Sequence, residues 1–351
     1  MTTDMQSIEL EPLSSAGARP AGLRATALRR LRRDPVAIFA FSLLVLLILA
    51  AIIGGPLAAH FTGHSPDEQF ANALASNSEP LGVWQRTYLA NGTTHNPHGS
   101  LFVLGADALG RDLLVRVLYG ARISLLVATS ATALALVIGI SLGLLAGYFG
   151  GWIDSIVNRL TETAMAFPNL LLAVGLAVVI GPGLLNVVVI IALFTWYYPA
   201  RIVRGATIAT KQMTFVAAAR TVGAKPRRIL LVHLLPQVWG PLLVYGTSII
   251  ANNIIFEAGL SYLGVGVPAP TASWGQMLSD AVTSGMYQTD LVLALAPGIA
   301  LVLTMLAFNL LGDGLRDALD PKAARGVAGR VIRGRRGDEA EGAATRGGAP
   351  R

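Results

Sequence analysis

Basic side chains in the segment Phe215–Pro236 point to binding chemistry. Its Lys and Arg residues stand at positions 220, 225, 227 and 228, between apolar runs long enough to cross a bilayer. Because a charge inside hydrocarbon costs several kcal/mol, these side chains must lie in water or at the membrane surface. The segment therefore offers a charged surface to a partner, or serves only as a basic loop that fixes membrane topology.

The small residues of this segment favour a partner-binding elbow. Ala217, Ala218 and Ala219 promote a helix without bulk, so that a second protein could approach closely. Gly223 is expected to break this helix in a backbone conformation that a side chain penalises, and Pro226 suits the first turn of a second helix. The spacing predicts two short helices joined at Gly223.

Three polar residues in or beside an apolar run could serve transport. Asn252 and Asn253 lie within the run, and Glu257 lies at its outer end. Unpaired amides are costly in hydrocarbon, so these groups are expected to face the interior of a helix bundle or an aqueous path. Lining of a translocation pathway and structural hydrogen bonding both stay open, with the second preferred for Asn252.

Other chemistries find little support. Imidazoles at positions 60, 64, 95 and 98 could bind nickel, but histidines in a Pro/Gly-rich loop are more often solvated, so no metal site is predicted. None of the lysines (Lys211, Lys225 and Lys322) follows a glycine, as a phosphate-binding P-loop requires. Cysteine is absent, and neither HExxH nor GxSxG occurs. We expect that the chain is not an enzyme and that it binds no cofactor.

Composition identifies the elements that must position these residues. Hydrophobic residues make up 53% and charged residues 13% of the 351 residues, against roughly 25% charged in soluble proteins. Mean hydropathy is +0.59. We interpret the chain as an all-α integral membrane protein. The net charge of +7 would also suit nucleic acid, but its distribution fits membrane topology, so no nucleic-acid partner is expected.

Six transmembrane helices are predicted from the uncharged runs. They are expected at 36–57, at 123–149, on either side of a Gly181-Pro182-Gly183 hairpin between 162 and 201, at 234–256 and at 291–311. This divides the chain into a basic tail (1–34), a first helix (35–58), an extracytoplasmic loop subdomain (59–121), a core of five helices (122–313) with a cytoplasmic loop at 204–233, and a tail (314–351) that is expected to be disordered.

Basic residues predict the orientation. Twenty-three of the 27 Lys and Arg residues fall on the side that holds both termini and the 204–233 loop. Both termini are therefore expected in the cytoplasm of a cell whose membrane the chain crosses several times. Arginines of the tails could also contact anionic lipid headgroups.

Small residues recur at every fourth position of the second span. They are Ala131, Ala135, Gly139, Gly143, Gly147 and Gly151. Such a stripe lets helix backbones approach closely, which drives association where no hydrophobic effect operates. Packing within the chain and packing against a partner subunit are equally open.

The elbow resembles the EAA loop of ABC-importer permeases, the cytoplasmic loop that docks into an ATPase subunit. The resemblance is carried by Ala218, Ala219, Gly223, His233 and Pro236. It implies ATPase coupling by the matching residues, which are Ala217, Ala218, Ala219, Arg220, Gly223, Ala224, Pro226, His233 and Pro236. One departure is Ala217, where the family usually has Glu, which puts the contact of that carboxylate in doubt.

Further blocks resemble the second-permease subunit of dipeptide, oligopeptide and nickel importers. They are Arg29–Ile48, Leu104–Val127 with a GADALGRD motif, Glu257–Leu278 and Leu306–Lys322. The resemblance implies the type I ABC importer permease fold. It also implies as partners a homologous second permease, one or two ABC ATPases that use ATP and Mg, and an extracytoplasmic substrate-binding protein. Peptides are the expected cargo, with nickel or another small solute as the alternative.

Two other classes stay open on the residues alone. A secondary transporter should carry acidic groups inside the membrane for ion coupling, and often an inverted repeat. No Asp, Glu, Lys or Arg lies within the six predicted spans. A membrane-embedded enzyme would need a polar catalytic cluster near the interface, and the sequence offers none.

Overall fold

A computed structural model describes residues 29–319. The expectations for the tails at 1–28 and 320–351 lie outside these residues. Residues 35–316 form one compact unit.

The first span is a continuous helix that is interrupted by one wide turn. Helix α1 (Pro35–Leu49) passes through a π-helical turn at Ala50–Gly54 into α2 (Gly55–Thr62), which ends at a left-handed glycine, Gly63. Most of its large side chains are exposed, as expected of a helix that faces lipid. The helix extends past the predicted end at residue 58, because the apolar character continues to Phe61.

The segment between the first two spans has little regular structure. Strands β1 (Gln85–Arg86) and β2 (Leu101–Phe102) pair antiparallel, with Gln85 opposite Phe102. A small core of Ala73, Leu81, Phe102 and Ala106 lies beneath them. This segment is loop-rich, and it ends at Asp112, before the expected boundary at residue 121.

The second span begins ten residues before the predicted Ile123. Helix α3 (Leu113–Phe149) has 37 residues, and the side chain of Asp112 caps it by accepting a hydrogen bond from Val115 N at 3.1 Å. An N-terminal cap of this kind fixes where a helix starts. The early start places Arg116 and Arg122 on the helix rather than in the preceding loop.

The third and fourth spans are bent pairs rather than single helices. Helix α4 (Gly151–Ala166) meets α5 (Asn169–Ile180) at 92°, and α6 (Leu184–Leu193) meets α7 (Tyr197–Thr210) at 42°. The predicted helix between residue 162 and the hairpin is not continuous, because Pro168 forces the residue before it out of the helical conformation. The predicted hairpin at residues 181–183 is confirmed, since α5 ends and α6 begins on either side of it.

The remaining chain carries the elbow and two long helices. Helix α8 (Thr214–Thr221) and the short α9 (Pro226–Arg228) lead through a π-helical segment, Ile229–Leu234, into α10 (Leu235–Tyr262). Helices α11 (Trp274–Thr283) and α12 (Val292–Leu319) follow.

Residues 29–319 contain four helices that are long and apolar enough to cross a membrane, and six spans if each bent pair counts as one. Helix α3 lies at the centre of the bundle and packs most extensively against α7, then against α10. The core is built from the small and branched residues along these contacts. Since α10 continues directly from the elbow, the fold joins the elbow to the centre of the bundle.

Candidate functional site

The elbow has the geometry that its glycine predicts. Gly223 has φ +81°, in the left-handed region that side chains disfavour. Its N–H donates to Arg220 O at 2.9 Å, and Ala224 N donates to Ala219 O at 3.0 Å. These two bonds form the Schellman motif that ends many helices. Pro226 then stands in the first turn of α9.

Apolar contacts hold one side of the elbow against the bundle. Val216, Ile229 and Leu234 are almost completely buried in a cluster with Leu144 and Val203. Arg220 lies over the ring of Tyr148, with Cζ 5.3 Å from the ring centroid, which is a cation–π contact. The elbow is therefore packed against the ends of α3 and α7.

The other side of the elbow is open to solvent. Val222 is 88% exposed, although it is apolar and stands at the corner of the elbow. An open groove of about 500 Å³ runs beside it, lined by Gly223, Lys225, Arg228 and His233 among others. Val222 and the basic side chains of Lys225 and Arg228 thus form one open surface at the corner of the elbow. Sequence reasoning missed Val222, although an apolar residue directly before the breaking glycine was a usable signal.

The predicted coupling residues share this open side to different degrees. Ala217, in the position where Glu is usual, is exposed and leaves room for a partner atom. The exposed members are Ala217, Ala218, Arg220, Gly223, Pro226 and Pro236, and the half-buried members are Ala219, Ala224 and His233.

The glycine stripe of α3 lies against α7 within the same chain. A Cβ at Gly139 would come within 2.6 Å of Pro199 Cγ, and one at Gly143 within 2.6 Å of Ala200 O. Gly147 faces Thr207 in the same way, and Ala135 is fully buried above it. Gly151 lies beyond the helix end in open space, so it does not belong to this seam.

Two polar contacts join the ends of α3, α4 and α7. Arg204 makes a bidentate ion pair with Asp154, with nitrogen–oxygen distances of 2.5 and 2.7 Å. Lys211 Nζ donates to Gly147 O at 2.7 Å. Bidentate guanidinium–carboxylate pairs are strong and directional. The helices that meet the elbow are therefore fixed to one another by charge as well as by close packing.

A cavity of about 290 Å³ lies between α7 and α10, which we call the Tyr–Arg cavity. It is lined by Met165, Thr195, Tyr197, Tyr198, Arg201, Ile202, Tyr245, Ser248, Ile249, Asn252 and Asn253. Asn252 is exposed. The adjacent Asn253 is fully buried, and its Nδ2 donates to Thr132 Oγ1 at 2.8 Å. Asn253 thus forms the bond between helices that was expected for Asn252, while both line the cavity.

Glu257 lies apart from this cavity. Its carboxylate is fully buried and accepts hydrogen bonds from Ser124 Oγ at 3.0 Å and Ser261 Oγ at 2.7 Å. Ser124 also accepts from Trp274 N at 3.3 Å. The predicted pathway residue therefore connects α3, α10 and α11, which is an anchoring position.

A buried ion network joins the 63–112 segment to the helices. Asp107 accepts from Arg111 Nε at 2.6 Å, and Arg111 also pairs with Asp280 at 3.1 Å. Arg116 Nη1 donates to Pro66 O at 3.0 Å. Asp107 and Arg111 belong to the GADALGRD motif and Arg116 to its continuation, so the motif orders the contact between segment and bundle.

The histidines do not assemble a metal site. His64 is buried, and its Nδ1 lies 2.7 Å from Asp112 Oδ2, while His95 Nδ1 lies 2.7 Å from Arg86 O. Within residues 29–319 no group of three or more His, Cys, Asp or Glu side chains could hold a metal ion.

Comparison with known families places these features in context. Residues 139–325 match the family model described as "Binding-protein-dependent transport system inner membrane component". Residues 22–80 match a second model, "N-terminal TM domain of oligopeptide transport permease C". The first match contains α7, the elbow, the Tyr–Arg cavity and Glu257.

Curated relatives agree with the family models. A glutathione transport system permease protein of Escherichia coli is 40% identical over 298 residues, covering 84% of this chain and 89% of the relative. The protein of the same name from Pectobacterium atrosepticum is 45% identical over 223 residues, covering 62% and 72%.

Among solved structures, this chain is similar to one of an inward-facing MetNI methionine ABC transporter. The match covers 58% of this chain and 96% of that chain, with a TM-score of 0.46 and 20% sequence identity.

The described residues contain four helices able to cross a membrane, or six spans if each bent pair counts as one, and both family models match the chain. These findings agree on one assignment. The chain is a multi-pass inner-membrane permease, and it belongs to the family of binding-protein-dependent transport system inner membrane components.

Proposed function

We propose that this chain is one of two permease subunits in an ATP-driven importer of small peptides, and that the elbow at 215–236 couples it to a separate ATPase. The observation that carries the proposal is the elbow itself. It combines a rigid glycine-capped corner, an exposed Val222 and a basic groove, and its buried side is fixed to α3 and α7.

Mechanical continuity supports the coupling role. The helix that leaves the elbow continues through residues 226–262 and carries Tyr245 and Asn252 of the Tyr–Arg cavity. A displacement of the elbow by a partner would move this helix as a rigid body, which is how packed helices transmit domain motion. ATP and Mg would be used by the ATPase, and this chain would bind neither.

Peptide cargo is supported by the relatives. Both curated relatives are named for glutathione transport, and glutathione is a tripeptide. The N-terminal match is to an oligopeptide permease model. An importer of this kind includes a second homologous permease, one or two ATPase subunits and an extracytoplasmic binding protein. We place both termini and the elbow in the cytoplasm on the distribution of Lys and Arg.

Uptake into proteoliposomes tests the proposal. The complete complex with its binding protein is reconstituted, and entry of labelled dialanine, glutathione and nickel ion is measured with ATP and with ADP. We expect that at least one of the two peptides accumulates with ATP and not with ADP, and that nickel does not accumulate. Accumulation of nickel without either peptide would contradict the peptide assignment, and uptake that is independent of ATP would contradict the coupling.

A further inference from the structure

The Tyr–Arg cavity combines one cation with aromatic walls and neutral donors. Arg201 supplies a guanidinium, Tyr198 and Tyr245 supply phenol groups, and Ser248 and Asn252 add a hydroxyl and an amide. Apolar walls with a few convergent polar groups are the usual construction of a small-molecule site. A guanidinium fork matches a carboxylate in two parallel hydrogen bonds.

Arg201 has no carboxylate partner among residues 29–319. Its closest polar contact is Met165 Sδ, at 3.7 Å from Nη1, and a thioether is a weak acceptor. By contrast, three other arginines have a carboxylate partner: Arg204 pairs with Asp154, and Arg111 and Arg116 pair with Asp107. Arg201 is an exposed side chain of the cavity lining, so its guanidinium is accessible to a ligand.

A second group on the cavity wall is also unsatisfied. Asn253 is fully buried, and its Oδ1 has no hydrogen-bond partner within residues 29–319. A buried carbonyl without a partner is costly. The cavity therefore offers a cation for a carboxylate, beside the exposed amide of Asn252.

We propose that the Tyr–Arg cavity binds the C-terminal carboxylate of a short peptide during its passage, with Arg201 as the carboxylate ligand. This rests on the proposed function and adds a recognition site within the permease. The volume of about 290 Å³ is at the lower limit of ligand pockets, so it suits one end of a peptide. Because Tyr245, Ser248 and Asn252 lie on the helix that continues from the elbow, the site would change shape as the elbow moves.

Peptide binding to the permease complex without its binding protein tests the proposal. The two permeases and the ATPases are held in phosphatidylcholine nanodiscs, and binding of dialanine is compared with that of its C-terminal amide. We expect dialanine to bind about tenfold more tightly than the amide. Arg201→Gln should abolish this preference, and Arg201→Lys should retain part of it. Arg122→Gln is the matched control, because it removes an exposed arginine of α3 outside the cavity.

Other outcomes separate the alternatives. Equal binding of dialanine and its amide by the wild type would overturn the proposal. A test in phosphatidylglycerol nanodiscs could also overturn it. If the wild type lost dialanine binding there while Arg201→Gln kept it, Arg201 would be a ligand of the lipid phosphate. The proposal would also be overturned if less of the second permease were recovered with Arg201→Gln, because Arg201 would then be a contact between the subunits. Failure of the wild type to import any peptide with its binding protein would instead refute the proposed function.

Discussion

At the scale of single residues, the elbow depends on one glycine and one exposed apolar side chain. Gly223 occupies a left-handed conformation with no atom within 4 Å of a Cβ placed there. The requirement for glycine is therefore conformational and not steric. Val222 beside it is exposed, as expected for a side chain that another protein covers.

Val222→Asp should weaken ATPase binding about tenfold and leave the permease folded. The side chain contributes little to the isolated chain, since exposed substitutions change stability by about 0.5 kcal/mol or less, whereas burying a charge at an apolar contact is costly. Affinity of the purified permease pair for the ATPase measures the effect. Val222→Thr, of similar shape, is the control, and an unchanged affinity for Val222→Asp would place the contact elsewhere.

Asp112→Ala should lower the stability of the purified complex by about 2–4 kcal/mol. It removes the cap of α3, typically about 1 kcal/mol, and leaves the buried His64 without its partner, about 1–3 kcal/mol. Thermal unfolding provides the measurement. Asp112→Asn retains a capping oxygen and should lose less, so an equal loss in both variants would show that the cap contributes nothing.

At the scale of elements, the seam between α3 and α7 keeps the bundle rigid. Three glycines of α3 face the backbone of α7, and the Asp154–Arg204 pair closes the end near the elbow. Close backbone approach is the main source of helix association in lipid. A force at the elbow would therefore move α3 and α7 together.

Gly143→Leu should disrupt this seam. A Cβ alone would lie 2.6 Å from Ala200 O and 2.8 Å from Val203 Cβ, so a leucine must push α7 away. Overpacking of this kind costs about 1–3 kcal/mol or more. The yield and melting temperature of the assembled complex should both fall. Gly175→Leu, with open space around its Cβ, should leave both unchanged, and equal results for the two variants would show that the seam is not limiting.

Local chemistry predicted the turns, and tertiary context decided the rest. Gly223 and the hairpin at residues 181–183 could be predicted, because glycine and proline restrict the backbone on their own. The start of α3 was missed because the run was defined by absence of charge, while Asp112 marked the helix cap. Arg201 was recognised only as the end of an uncharged run, since the cavity forms from residues far apart in sequence.

At the scale of the whole molecule, we predict the membrane topology from the distribution of charge. Reporter fusions after residues 95 and 275 should report the exterior, and a fusion after residue 225 should report the cytoplasm. The reason is that the proposed topology puts 23 of 27 basic residues on the cytoplasmic side. A cytoplasmic signal from residue 95 would refute six spans with both termini inside.

The central claim, that the elbow couples this permease to an ATPase, is tested most directly by co-purification with Gly223→Val. A β-branched residue at φ +81° should cost at least about 1 kcal/mol locally and rotate α8 against α9. The spans are untouched, so the variant should insert and retain its sister permease. The account predicts loss of the ATPase and of ATP-dependent uptake. Undiminished ATPase recovery with normal uptake would contradict it.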